Sequence, residues 1–450
     1  TTVGAFLYNL VSRYDDFVSK TDSKRLKAKR VSKARVSQNI SLNAQRNTNG
    51  GTRWYDGQVY DTERMVLSFV MSAKDRGAHA YNYMDVKEVI VDKGKVQGVI
   101  ATELMSGDTL PVKADFVIDA TGPWTGLNAQ RWMRQDAHQN TKQVALAKAV
   151  NFVYPFGISN KAFGAKVQSA FGHGPLTSRL LFCAPWKGSS IVGTWYFPAT
   201  SPEKDNTLTR EQFDVCVADV IELCSLKKDL AVKPSFVHLG LVPVRESFKE
   251  NEFPLLSEET LTTDHKSVNG LEGLVSIFGV KYTTARSSAE KTIDLIQARF
   301  SPGTKMTASV TSHTPLYGGD MESFSGFQAQ AKKKYTGILG SLVVEHLART
   351  YGTNLERLME YVAQDSAMKE PIPGTPCSIK AEIPYVMDHE MVARLTDLMV
   401  RRLGIGGLGE PREETIEYCV GVMAEALSWN ADEKQGNIDE LRDYYRRMPS

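Results

Sequence analysis

Leu274-Val275-Ser276-Ile277-Phe278-Gly279-Val280-Lys281-Tyr282-Thr283-Thr284-Ala285-Arg286 is an apolar run that meets a glycine and then opens a helix. The run reads as a buried strand, and Ser287, Ser288 and Ala289 fall on the first turns of the helix after it. The first N–H groups of a helix have no partner inside it, and its dipole makes that end positive. With Lys281 beside them they form a place for negative charge. Many strand–helix junctions look like this and only close a fold. A second stretch narrows the reading: Phe116-Val117-Ile118-Asp119-Ala120-Thr121-Gly122-Pro123-Trp124 is another buried strand, ending in Ala-Thr-Gly. A glycine there lets backbone approach a bound group closely.

Around these two stretches the chain has 450 residues, too many for one core, so two or three domains are expected. An apolar share of 42% and a charged share of 24% are those of a soluble globular protein. The net charge of +2, without a nucleic-acid motif, argues against a dedicated DNA or RNA binder. No apolar run reaches transmembrane length and no signal-peptide pattern opens the chain. Cys183, Cys216, Cys224, Cys377 and Cys419 are scattered, without Cys-x-x-Cys or histidines at metal spacing. They read as reduced thiols in a cytoplasmic or cytosol-facing protein with no metal site.

Along the chain, Phe6 to Val18 has helical spacing, and a basic stretch follows with Lys20, Lys24, Arg25, Lys27, Lys29, Arg30, Lys33 and Arg35. That stretch reads either as a solvated segment or as a contact with anionic lipid on the inner face of a membrane. Asn47 to Gly51 reads as a turn. Asp61 reads as the N-cap of a helix through Lys74 that Gly77 ends. Val86–Val91, Val96–Leu104 and Leu110–Val112 form a meander around Lys93-Gly94 and Ser106-Gly107-Asp108. A mainly β region with one helix, Gln212 to Lys227, comes next. Helices fill the stretch beyond Ser323, broken at Gly337, Gly352, Pro371 to Pro376 and Gly404 to Gly409.

The two opening stretches, in this order and separation, resemble the FAD-dependent glycerol-3-phosphate dehydrogenases of the amino-acid-oxidase-like flavoprotein group. So do Tyr55-Asp56…Asp61-Thr62-Glu63-Arg64, the strand pair Leu181 to Trp186 and Ile191 to Thr194, Leu347 to Gly352, and the series Glu382, Asp388-His389-Glu390, Asp397, Arg401-Arg402. The last series is the most specific part. The resemblance implies an α/β fold: a doubly wound FAD-binding domain, a β-rich substrate domain and an all-helical C-terminal domain. The divisions expected are a lead-in over 1–52, FAD domain at 53–127 and again at 256–300, substrate domain at 128–255, a linker at 301–322 and helices from 323 to 450. Relatives open with a strand, G-x-G-x-x-G and a helix that cradles the pyrophosphate. That unit is missing from these residues, so the expectation is a longer polypeptide that supplies it, the other reading being a natural truncation.

The resemblance further implies non-covalent FAD held by Val86, Ala120, Thr121, Gly122 and the Gly279-Val280-Lys281-Tyr282-Thr283-Thr284 segment. It also implies oxidation of a small phosphorylated polyol, with a quinone as electron acceptor. Oxidising such an alcohol requires a base for the hydroxyl proton and cations for the rest of the substrate. Relatives carry a histidine in Lys-Gly-Ser-His, where this chain has Lys148-Ala149-Val150-Asn151, and asparagine cannot accept that proton. They carry an arginine in Gly-Val-Arg-Pro, where this chain has Gly240-Leu241-Val242-Pro243. His238 is the expected substitute base, since it shares a strand face with Val242, or else a hydrogen-bonded core histidine. Arg245 either reaches a phosphate or forms a surface ion pair. Lys281 is the leading catalytic residue, with Asn151 beside it. Lys148, Thr194, Trp195 and Arg286 are expected near substrate, the aromatic Trp195-Tyr196 pair suggesting a bulkier or more apolar pocket. Two further readings stay open: oxidation of a different phosphorylated or lipid-linked alcohol, and a non-catalytic subunit or scaffold with the family shape. A homo-oligomer stays open as well.

Overall fold

Strands dominate the first two thirds of the chain. The computed structural model describes residues 28–40, 49–132, 144–168, 178–249, 254–300 and 306–448, with 252 and 303. Lys29–Ser32 (β1) pairs antiparallel with Gly50–Arg53 (β2). Gly50 and Gly51 are thus strand, where the sequence suggested a turn. The expected helix at Phe6 to Val18, and Lys20, Lys24, Arg25 and Lys27, lie outside the described residues. Lys29, Arg30, Lys33 and Arg35 are exposed.

The Thr62–Lys74 helix begins as expected, with Asp61 accepting from the Arg64 N–H at 3.0 Å. Met84–Asp92 (β3), Lys95–Glu103 (β4) and Thr109–Lys113 (β5) form the antiparallel meander. Val117–Asp119 (β6) follows, and a Gly122–Trp124 turn leads into the Thr125–Trp132 helix.

Ala145–Tyr154 (β7), Phe163–Gln168 (β8), Ser178–Trp186 (β9), Ser189–Ala199 (β10) and Phe236–Val244 (β11) make a five-stranded antiparallel sheet in the order β11-β7-β10-β9-β8. One face buries Val150, Phe152, Trp195 and Phe197 against Phe213, Val217 and Val220 of the Arg210–Cys224 helix. A Thr209/Gln212 capping box starts that helix. It stops at Cys224, short of the expected Lys227, because Ser225 turns left-handed (φ 54°). Each of these large side chains contributes about 2 kcal/mol by leaving water.

Leu261–Asp264 (β12) and Leu274–Phe278 (β13) complete a second sheet in the order β12-β13-β6. In it β13 runs parallel to β6, with Ser276 opposite Asp119. The Ala285–Phe300 helix leaves from the end of β13.

From Phe324 on, the chain is helical around Leu347, Leu358, Ile383, Leu398, Ile416 and Val420. Gly337 sits inside the Phe324–Leu339 helix, and the break expected there occurs at Gly340 (φ 80°). Val153 and Phe236 join this helical core, so the C-terminal domain covers one end of the five-stranded sheet's second face.

Candidate functional site

Parallel pairing puts the C-terminal ends of β6 and β13 side by side, so Ala120 to Gly122 and Gly279 to Thr284 leave the sheet at the same edge. Ligands of open α/β sheets bind at such an edge. Gly122 takes φ 61°, and a Cβ added at Gly122 or at Gly279 would meet nothing within 4 Å. Lys281 is the N-cap of the short helical turn Tyr282–Thr284, and all four residues are exposed. At the start of the following helix, the Thr125 hydroxyl is buried without a hydrogen-bond partner. Val86 lies at an irregularity in the β3–β4 pairing and packs on the cluster of Val89, Val96, Trp132 and Leu274. Open glycine backbone, free helix-start N–H groups, a lysine and an orphaned hydroxyl fit the FAD that the sequence implies. Ala120 to Gly122 and Val280 to Thr284 would hold it.

The Gly122–Trp124 turn packs on β11, the edge strand of the large sheet, whose second face lies away from the Arg210–Cys224 helix. On that face the register aligns three rows across β10, β7 and β11. The first is Gly193, Asn151 and His238; the second Tyr196, Ala149 and Gly240; the third Pro198, Ala147 and Val242. A bulge between Gly193 and Trp195 adds Thr194 to the first row, where its hydroxyl donates to Asn151 Oδ1 at 2.9 Å. Gly193 is required there, since a Cβ would sit 2.2 Å from that oxygen. Burial raises the pKa of Tyr196, in the second row.

Asn151, Thr194 and His238 therefore come together. His238 packs edge-on against Phe236 and Trp186, and its Nε2 lies 3.2 Å from the Gly407 carbonyl. Burial pushes its pKa down to about 4, with the Gly407 bond opposing the shift. It is a neutral, weak base beside Asn151, at the margin of the helical domain.

Other expected site residues lie elsewhere. Lys148 is on the opposite face of β7, 3% exposed, with its ammonium 2.7 Å from Thr207 O, 3.3 Å from Gln212 Oε1 and 3.5 Å from Asp205. It cannot reach a substrate on the Asn151 face. Trp195 also faces the helix side, fully buried against Phe152, and its indole donates to Asp219 at 2.9 Å. Arg245 is a surface residue with a loose 3.6 Å contact to Glu258. The Arg286 guanidinium is taken by Glu290 at 2.8 Å and Thr311 at 3.1 Å. Of the Trp195-Tyr196 pair expected to make a bulkier or more apolar pocket, only Tyr196 lies on the Asn151 face. A cavity of about 420 Å³ between Tyr335, Ile338, Met359 and Lys369 belongs to the helical domain and contains none of these residues.

The C-terminal signature residues hold domains together. Glu390 pairs with Arg64 in a buried two-bond contact, Tyr83 donates to Asp397 at 2.8 Å, and Asn82 donates to Met391 O at 2.9 Å. Arg402 donates to Glu390 O at 2.6 Å. Lys187 of the β9–β10 hairpin reaches Asp61 at 2.6 Å.

Comparison with known proteins agrees with this architecture. Residues 9–294 match the family described as FAD dependent oxidoreductase, and residues 309–434 match the C-terminal domain of alpha-glycerophosphate oxidase. The chain is 27% identical over 423 residues to the aerobic glycerol-3-phosphate dehydrogenase of Staphylococcus haemolyticus (strain JCSC1435), across 90% of this chain and 70% of that protein. It is 26% identical over 424 residues to a probable mitochondrial glycerol-3-phosphate dehydrogenase of Dictyostelium discoideum, across 88% of this chain but 61% of that protein. The solved glycerol-3-phosphate dehydrogenase from Bacillus halodurans, complexed with FAD, aligns over 93% of this chain and 79% of its own length. Its TM-score is 0.73 at 24% identity, a likeness of fold.

Proposed function

The chain belongs to the FAD-dependent oxidoreductases, with the C-terminal domain of alpha-glycerophosphate oxidase, and from that premise we propose that it oxidises a secondary alcohol of the glycerol 3-phosphate class. The observation that supports this reading is the contact of the Gly122–Trp124 turn with β11, the strand that contributes His238 to the polar row Thr194, Asn151 and His238. FAD, when bound, supplies the hydride acceptor. Asn151 binds the substrate hydroxyl, its own carbonyl being taken by Thr194, so its N–H groups face the ligand. The C–H hydrogen leaves as hydride and the hydroxyl proton goes to water at the open sheet face, giving the ketone. Lys281 holds the negative charge that builds up at the cofactor. A quinone would be the electron acceptor in this reading. No helix among the described residues is long and apolar enough to cross a membrane.

A second reading, a bulkier or less anionic alcohol, is favoured by the apolar row Pro198, Ala147 and Val242 and by the burial of Lys148 on the far side. Burying a phosphate without a bidentate arginine leaves its charge unpaired. The test is flavin reduction in the full-length protein by glycerol 3-phosphate, larger polyol phosphates and lipid-linked alcohols. Glycerol 3-phosphate with micromolar affinity and the best turnover supports the first reading. A larger alcohol in that place supports the second. No reduction by any of them, with flavin bound, sinks both.

A further inference from the structure

A chain of polar side chains lies beneath the cofactor edge, outside the substrate face. Asn269 sits 3.2 Å from His265 Nδ1, His265 Nε2 is 2.8 Å from Ser276 Oγ, and Ser276 Oγ is 3.4 Å from Asp119 Oδ2. The other carboxylate oxygen accepts both the backbone N–H of Thr121 at 3.1 Å and its hydroxyl at 2.6 Å. Asn128, on the helix that follows, donates to the Thr121 hydroxyl at 3.0 Å. Asp119, Ser276 and His265 are 2%, 4% and 1% exposed.

Their polarity runs one way. The Asn269 amide oxygen accepts from the Leu271 N–H at 3.3 Å, so its NH2 donates to Nδ1, and His265 carries its proton on Nε2 and gives it to Ser276. The serine hydroxyl is then free to donate to Asp119. A carboxylate is acceptor-only and here is offered three donors. These are the residue types of a hydrolytic triad in the wrong order. Serine stands between imidazole and carboxylate, so the carboxylate does not orient the imidazole, and no substrate reaches the buried hydroxyl.

What this chain of bonds does is shape backbone. The double contact from Thr121 to Asp119 closes the turn at Ala120 and Thr121 and presents Gly122 at φ 61°. Because Ser276 stands opposite Asp119 in the parallel ladder, it ties the end of β6 to the end of β13. The two cofactor-facing loops are thereby held in one geometry. Burial raises the Asp119 pKa against these three donors, as expected for a carboxylate that gains no cation.

We infer that Asp119, oriented through Ser276 of β13 and His265 of the short His265–Asn269 helix, is a positioning residue for the Ala120–Gly122 cofactor turn. The inference rests on the family's FAD and on no choice of substrate. Its test is FAD binding by the full-length protein, followed through quenching of flavin fluorescence and the circular dichroism of the bound flavin, with the melting temperature of the apoprotein alongside. Ser276→Ala should weaken FAD binding about tenfold or more, the loss of one buried bond to a charged group, and should alter the flavin dichroism. Ser276→Cys keeps the volume but donates weakly, so it should behave like Ser276→Ala. Asp119→Asn, which keeps one acceptor for Thr121 and offers the wrong group to Ser276, should weaken binding as well while leaving the apoprotein folded. FAD affinity within about twofold of wild type in Ser276→Ala overturns the inference. So does full affinity in Ser276→Cys, which would reduce the serine to a packing residue.

Discussion

Lys281 caps the Tyr282–Thr284 turn in solvent, with no carboxylate bonded to its ammonium among the described residues. Its charge is therefore free to act on what lies over the turn, and removing it disturbs no packing. Lys281→Met in the full-length protein should slow flavin reduction about tenfold or more, the scale of one electrostatic contact in a catalytic site, with an unchanged melting temperature. Rapid-mixing absorbance measures the first and calorimetry the second; unaltered reduction would make it an ordinary helix-start lysine. His238 behaves in the opposite way, because its value to the fold depends on staying neutral. Its pKa falls from an ordinary 6.5 to about 4 through burial. Between those values the unfolded chain binds the proton and the folded one does not. Stability from this residue is complete above about pH 6.5 and is lost as pH falls toward 4, on the order of 3 kcal/mol in all. His238→Gln, which keeps an N–H for Gly407, should flatten the acid limb of a denaturation series over that window. An identical acid limb in the variant would mean that His238 protonates without cost.

Strand parity explains both what was readable in the large sheet and what was not. His238 and Val242 are four apart, and they do share a face of β11. Lys148 and Asn151 are three apart on β7, so alternation alone sends them to opposite faces, and expecting both near substrate overlooked it. Trp195 is a different case. The bulge after Gly193 inserts one residue, shifts the parity of β10 and sends the indole into the helix-side core. No count along a single strand reveals that extra residue. At the helix ends, Asp61 was legible as a cap because its side chain bonds locally, whereas Gly337 misled because a glycine inside a helix weakens it without ending it. The bulge itself is testable. Gly193→Ala drives a Cβ to 2.2 Å from Asn151 Oδ1 and 2.9 Å from Val150 O. It should cost about 1–3 kcal/mol in denaturant unfolding and slow flavin reduction by displacing Asn151. Gly240→Ala in the adjacent row meets nothing within 4 Å and should change stability by less than about 0.5 kcal/mol. Equal stability of the two variants would show that the bulge relaxes freely.

At the scale of the whole molecule, the three parts meet at the Thr62–Lys74 helix. Its N-cap Asp61 takes Lys187 from the large sheet, and Arg64, one turn in, takes Glu390 from the helical domain. The sequence made the C-terminal signature legible as a family mark, but its work is assembly, since Glu390, Asp397 and Arg402 all bond across or along this junction. Motif reading could not separate the two roles, because a buried ion pair and a catalytic pair use the same residue types. Arg64 is sealed: Glu390 is wholly buried, the Tyr351 ring lies 4.9 Å from the guanidinium, and Arg64 Nε has no partner. Such a pair gains little over apolar residues of the same volume, yet breaking it leaves one charge stranded in the interior. Glu390→Ala should therefore cost about 3–5 kcal/mol and open the junction to limited proteolysis near Met391, whose carbonyl loses its setting against Asn82 and Arg402. The double variant Arg64→Met with Glu390→Leu removes both charges and should recover most of that loss. Denaturant unfolding of the wild type, the single and the double variant measures this directly. A double variant as unstable as Glu390→Ala would place the cost in lost packing, and the Arg64–Glu390 charges would no longer account for how the helical domain is held.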